Sequence, residues 1–305
     1  MPNSLQKAPR PRLSRSLPKK NNSGLIVKED ANEDIIRAEK QLRNGRVNQE
    51  PYQERTDIYI PGFEIGRIIG SGMIGLAYAA KYVDNQQIFC LKCMSKDKIA
   101  EKSLVKNIEN EIKFHLALID VPHIMPLLKM FQTELELVLV LPYIPGRDLF
   151  RFMKSKESPF KGHLSEFESQ TVLKQLLSAL SAMHSKGILH RDIKPENIMV
   201  SNDLEVWLSD LGLAIEMPTA GFYQGRAGTP CYYPYEMVKG LTYDFRADVW
   251  CLGVLLVEML FGCLPFSADK NRDYSQSIIK LEYSLPTTKK VSEEARDLIA
   301  KILVP

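Results

Sequence analysis

Between residues 63 and 141 the apolar positions come in short runs and alternations: FEIGRIIG, LAYAAKYV, IFCLKCM, LKMFQTE and LELVLVL. Runs of this length, rich in Ile, Val, Phe and Leu, predict β-strands. One stretch among them keeps a different period. In SLVKNIENEIKFHLAL the apolar residues 105, 108, 112 and 116 share one face of a helix. Beyond Gly146 the pattern is mainly helical. Ser165 to Glu168 reads as a capping box that opens a helix running to Ser185, before Gly187. ADVWCLGVLLVEMLFG is apolar almost all round and predicts a buried helix. A small strand-rich lobe followed by a larger helical lobe predicts an α+β architecture with a cleft between the lobes.

Three segments follow from this pattern: a basic arm (1–58), a small lobe (59–141) and a large lobe (142–305). The 305 residues carry 40 Lys and Arg against 37 Asp and Glu, a net charge of +3. Seven of the bases and none of the acids lie in residues 1–28. That arm, with Pro2, Pro9, Pro11 and Pro18, is expected to be solvated and disordered. Within it, residues 30–43 predict a short helix ended by Asn44-Gly45, too short to persist without a surface to pack on. No apolar run reaches the roughly 18 residues of a membrane span, so no membrane partner is expected, and no nucleic-acid partner either. Five cysteines without a signal-peptide pattern predict reduced thiols in an intracellular protein.

Against that scaffold, certain polar residues need a reason. GSGMIG, with Gly70, Ser71, Gly72 and Gly75, sits between two predicted strands. A dinucleotide-binding turn would lead into a helix, so a hairpin covering phosphates fits better. Lys92 lies inside an apolar strand and calls for an anionic partner. Glu111 and Glu109 are the candidates in the lone helix, and about 200° of rotation separates them. Helical phase selects Glu111, which Ile108 and Ile112 flank. In HRDIKPENIMV, Asp192 is placed to accept a hydroxyl proton, Lys194 to neutralise a phosphate in transit, and Asn197 to bind a metal ion. Asp210, in SDLG, supplies a second metal-binding carboxylate.

With these motifs in this order, the chain resembles the eukaryotic protein kinases from Phe63 to Pro305, and DIKPEN resembles the serine/threonine class. FEIGRIIGSG, EIKFHLAL, YYPYEM and SEEARDLIAKIL are most similar to the Aurora branch. The resemblance implies a bilobal kinase fold and an enzyme using ATP and Mg2+. Lys92 would contact the α- and β-phosphates and pair with Glu111. Asp192 would be the catalytic base, helped by Lys194, with Asn197 and Asp210 holding two magnesium ions. Leu141 would be the gatekeeper, and Pro142, Tyr143 and Ile144 the hinge. Ala77, Cys90 and Met199 would sandwich the adenine, and Asp248 would brace the catalytic loop. Asp148 would contact ribose or, with Glu196, read an arginine N-terminal to the acceptor Ser or Thr. Ser14, in RLS, would then be an autophosphorylation candidate. A cytoplasmic or nuclear site, at the spindle or centrosome, is likewise implied. The reading from a different class is a pseudokinase scaffold.

Some positions depart from the family pattern. Ile74 replaces an aromatic at the glycine-loop tip, Leu211 a phenylalanine, and Tyr235 a proline. The chain ends at Pro305, before the C-terminal helix and the arginine that usually pairs with Glu236. In YQGRAGTPCYYPYE the family's activating threonine is Gly225, although Arg191, which would bind its phosphate, remains. A carboxylate such as Glu216 would then be a partner for Arg191. Thr219 and Tyr223 are hydroxyls at the wrong spacing to substitute, and Thr229 is expected to bond to Asp192. These features predict a working kinase with a different switch, its segment ordered by internal contacts or by a partner helix on the small lobe.

Overall fold

The computed structural model describes residues 55–155, 162–266, 273–287 and 289–305, with side chains from Ile60 onward. Most of the basic arm, the helix expected over 30–43 and the RLS motif therefore lie outside the described residues.

The first strand, β1 (Arg55–Ile60), straddles the boundary drawn at residue 59. It is followed by β2 (Phe63–Ser71), β3 (Gly75–Tyr82) and β4 (Ile88–Ser95), then by helices α1 (Lys96–Glu101) and α2 (Val105–Ala117), and by β5 (Lys129–Gln132) and β6 (Glu136–Pro142). The six strands form one antiparallel sheet in the order β1-β2-β3-β4-β6-β5. Alternation along β4 sorts its residues between two faces. Phe89, Leu91 and Cys93 join Tyr78, Val138 and Val140 in one cluster. Met94 packs on the other face with Ile108 and Ile112 of α2. Lys92 has the parity of Met94, so it emerges on the side of α2. Helix α1 was not anticipated; its signal is one turn only, with Ser95 Oγ accepting from Lys98 N at the N-cap.

The second lobe begins with β7 (Gly146–Asp148) and α3 (Leu149–Lys154), and continues with α4 (Glu166–Ser185) and β8 (Ile188–Leu189). At the start of α4 both halves of the expected capping box form: Glu168 N donates to Ser165 Oγ at 3.2 Å, and Ser165 N to Glu168 Oε2 at 2.7 Å. Two further strands, β9 (Ile198–Ser201) and β10 (Val206–Leu208), precede a short 3-10 turn (Leu211–Leu213), and β11 (Ile215–Glu216) pairs with β8. The remaining helices are α5 (Tyr235–Lys239), α6 (Arg246–Phe261), α7 (Tyr274–Lys280) and α8 (Glu293–Ile302). Helix α6 is buried on nearly every face, as its apolar sequence demands, and shares a core with Val172, Leu176 and Leu180 of α4. Each large side chain buried there contributes roughly 1.5–3 kcal/mol, enough to make this lobe a rigid base for the loops above it.

The whole is the α+β bilobal arrangement expected of the sequence. All five cysteines are free thiols, and among the described residues no helix is long and apolar enough to cross a membrane.

Candidate active site

Lys92 and Glu111 meet. Lys92 Nζ stands 2.5 Å from Glu111 Oε1, and the carboxylate is almost wholly buried. Burial works against the charge on Lys92, but Glu111 and then Asp210 outweigh it and raise the lysine pKa. Burial likewise disfavours the Glu111 charge, yet Lys92, with His115 nearby, lowers its pKa to about 2. Glu109 faces outward beside Lys106, at 3.6 Å. Helical phase alone had separated the two acids.

A cleft of about 820 Å³ opens beside Lys92. Gly70, Ser71, Ala77, Cys90, Leu141, Tyr143, Ile144, Asp148, Glu196 and Met199 all line it. Met125 and Ser209, which no motif marked, line it too. Gly72 and Gly75 do not. They form the tip of the β2–β3 hairpin, where Gly72 N donates to Gly75 O at 2.9 Å. A Cβ at Gly75 would lie 1.8 Å from Cys93 O, so only glycine lets these strands approach. Ile74 packs against the cluster of Met94 and Ile108, and its carbonyl accepts from Ser95 N at 2.9 Å. The tip side chain is therefore tucked under the sheet.

The loop between β8 and β9 carries a second constellation. Asp192 is buried, and every partner of its carboxylate is a donor. Thr229 Oγ1 donates to Oδ1 at 2.8 Å, Asn197 Nδ2 to Oδ2 at 2.9 Å, and Lys194 Nζ lies 2.9 Å from Oδ2. Lys194 also donates to Thr229 Oγ1 at 2.8 Å. These bonds fix one orientation of the carboxylate. Underneath, Asp248 of α6 accepts from His190 N and Arg191 N, each at 2.9 Å, and lies 2.8 Å from His184 Nε2. The left-handed backbone of Arg191 (φ 71°) is thus held from below.

Asp192, Asn197 and Asp210 do not line the cleft itself. Asp210 adjoins it through Ser209, is exposed, and adopts left-handed backbone (φ 62°). Among the described residues no three His, Cys, Asp or Glu side chains gather into a metal cage. An asparagine oxygen with one carboxylate next to this cleft still suits magnesium, which keeps its waters and borrows phosphate oxygens.

Helix α2 and the segment after Asp210 are laced together. Asn107 Nδ2 donates to Gly212 O at 3.1 Å, Asn110 Nδ2 to Ala214 O at 3.4 Å, and Lys113 Nζ meets Glu216 Oε2 at 2.5 Å. This corrects the partner expected for Arg191, because Lys113 on α2 reaches Glu216 instead. Arg191 Nε donates to Leu213 O at 2.8 Å, and its guanidinium lies 5.0 Å from the centre of the Tyr223 ring.

One more acid lies near Glu196 and was missed. Glu258 projects from α6, accepts a hydrogen bond from the Tyr232 hydroxyl, and has its pKa raised by burial and by neighbouring Glu196. Its place inside an apolar helix was the available signal. Asp148, by contrast, is engaged as the N-cap of α3, accepting from Arg151 N at 2.8 Å.

Comparison with known proteins agrees with this geometry. The protein kinase domain family matches residues 63–305. The chain is 33% identical over 261 residues to Aurora kinase A-A of Xenopus laevis, covering 85% of this chain and 62% of that protein. It is 31% identical over 249 residues to Aurora kinase C of Mus musculus, covering 82% of this chain and 87% of that one. It is 37% identical over 244 residues to the serine/threonine-protein kinase AtPK2/AtPK19 of Arabidopsis thaliana, covering 80% of this chain and 50% of that protein.

Proposed function

The chain belongs to the protein kinase family, and from that premise we propose that it transfers the γ-phosphoryl group of ATP to serine or threonine of protein substrates. The observation that carries this reading is the state of Asp192. A buried carboxylate on which three donors converge is fixed in one orientation, and one of the three, Thr229, belongs to the segment beneath which a peptide would dock. Lys92, already paired with Glu111, would position the triphosphate. Lys194 would neutralise charge on the transferring group. Asn197 and Asp210 would hold magnesium, which would shield the phosphate charges. Positioning and electrostatics would supply most of the rate.

Glu196 and Glu258 support a preference for arginine N-terminal to the acceptor. Glu196, exposed on the cleft lining, is a carboxylate that a guanidinium would pair with, and buried Glu258 is near enough to feel its charge. Asp148, capping its helix, is better placed for ribose than for this task. Resemblance to Aurora kinases supports a role in the cell cycle, at the spindle or centrosome.

Radiolabelled ATP with a mixed peptide library tests the reading, using the Asp210→Ala protein as control. Label on Ser or Thr peptides that disappears in the variant is the expected result. Equal incorporation by both proteins, or none by the parent chain, would leave a scaffold that binds partners without transfer.

A further inference from the structure

The cation of Arg191 lies against the face of Tyr223, 5.0 Å from the ring centre, while its Nε holds Leu213 O. Tyr223 is itself fixed on both sides. Its backbone exchanges two 2.9 Å hydrogen bonds with Tyr243, and the two rings meet edge to face at 5.7 Å. The Tyr243 hydroxyl then donates to Gly225 O at 2.9 Å, closing the loop. Gly225 completes the fit. Its φ is +145°, and a Cβ there would stand 3.2 Å from Tyr223 Cε1. The glycine makes room for the ring.

We propose that Tyr223 is a positioning residue for phosphoryl transfer: its ring engages Arg191 and so fixes the catalytic loop and the segment from Leu213 to Gly225 without any phosphate. The proposal rests on the kinase reading above and deepens it. Arg191 is bonded to Asp192 through the chain, and its backbone is strained, so whatever holds its side chain bears directly on the proton-accepting carboxylate. Arg191 makes a cation–π contact with Tyr223, a bond to the Leu213 carbonyl and a hydrogen bond with the Tyr243 hydroxyl, so Tyr223 and Tyr243 together tie the segment to one guanidinium. Gly225 is then a requirement of that packing, and the loss of a phosphorylatable residue there is its consequence.

The test compares Tyr223→Phe, Tyr223→Leu and Gly225→Ala with the parent chain. Phenylalanine keeps the ring, so its kcat should stay within about twofold of the parent. Leucine keeps bulk without a π face, and kcat should fall roughly tenfold with KM for ATP unchanged. The alanine, through its Cβ and the positive φ, should fall likewise. Hydrogen exchange of amides 213–225, measured on the same proteins without ATP, should speed up in the leucine and alanine variants only. If leucine matches the parent in both rate and exchange, the proposal is overturned. If phenylalanine loses as much as leucine, the ring face is not the agent and it fails too. Should the parent transfer no phosphate, the kinase reading falls, and exchange alone still decides the role of Tyr223.

Discussion

Thr229 Oγ1 donates to Asp192 Oδ1 at 2.8 Å while accepting from Lys194 at the same distance. The segment around Thr229 thus reaches the Asp192 carboxylate through one hydroxyl. Replacing it with a methyl group frees Oδ1 and removes a partner from Lys194. Thr229→Val is expected to lower kcat about tenfold or more, and Thr229→Ser to restore most of it, since a charge-assisted hydrogen bond is worth roughly 1.5–3 kcal/mol. Steady-state kinetics on one peptide checks both.

Lys92→Met should cut transfer by about a hundredfold or more, because the triphosphate loses its positioning charge. The same variant bears on stability. Glu111 is held at about 2 against an ordinary 4.5, so its contribution is complete above pH 4.5 and is lost as pH falls through 2. On the order of 3 kcal/mol is at stake for a shift of that size. Urea titrations of the parent chain at pH 6 and pH 3 should show the loss. Lys92→Met should be less stable at pH 6 and flatter across the interval.

Glu196 is exposed at the cleft, and its charge reaches the buried Glu258. Glu196→Gln should reduce kcat/KM about tenfold or more for peptides with an arginine before the acceptor, and leave peptides without one unchanged. A library that selects proline after the acceptor, or acid before it, would refute the preference.

Because Gly225 carries no hydroxyl, phosphatase treatment should leave peptide phosphorylation nearly unchanged. Abolished activity, with phosphate found on Thr219 or Tyr223 by mass spectrometry, would sink this expectation.

Elements with a strong period were legible in the sequence. Every strand expected between 63 and 141 formed within three residues of its predicted bounds, and both long helices of the second lobe did so as well. Glu111 was legible for the same reason, since a helix allows one inward acid and not two. Contacts between distant segments were illegible. Nothing local in the sequence pairs Lys113 with Glu216, 103 positions apart, or sets Arg191 on Tyr223. Glu258 was hidden by its surroundings, because nothing in the apolar run around it indicates that it faces Tyr232.

The lacing of α2 to the segment after Asp210 sets the grain of any motion here. Three helical residues climb about 4.5 Å, while the facing chain leaves its 3-10 turn at Leu213 and extends into β11. Rungs at Asn107, Asn110 and Lys113 meet Gly212, Ala214 and Glu216 in this one register. Turning the helix by a single residue, about 100°, would carry all three off together. It would also swing Glu111 away from Lys92. Helix and segment are thus keyed to each other, so a shift of either would be felt at Lys92 and along residues 212–216 together.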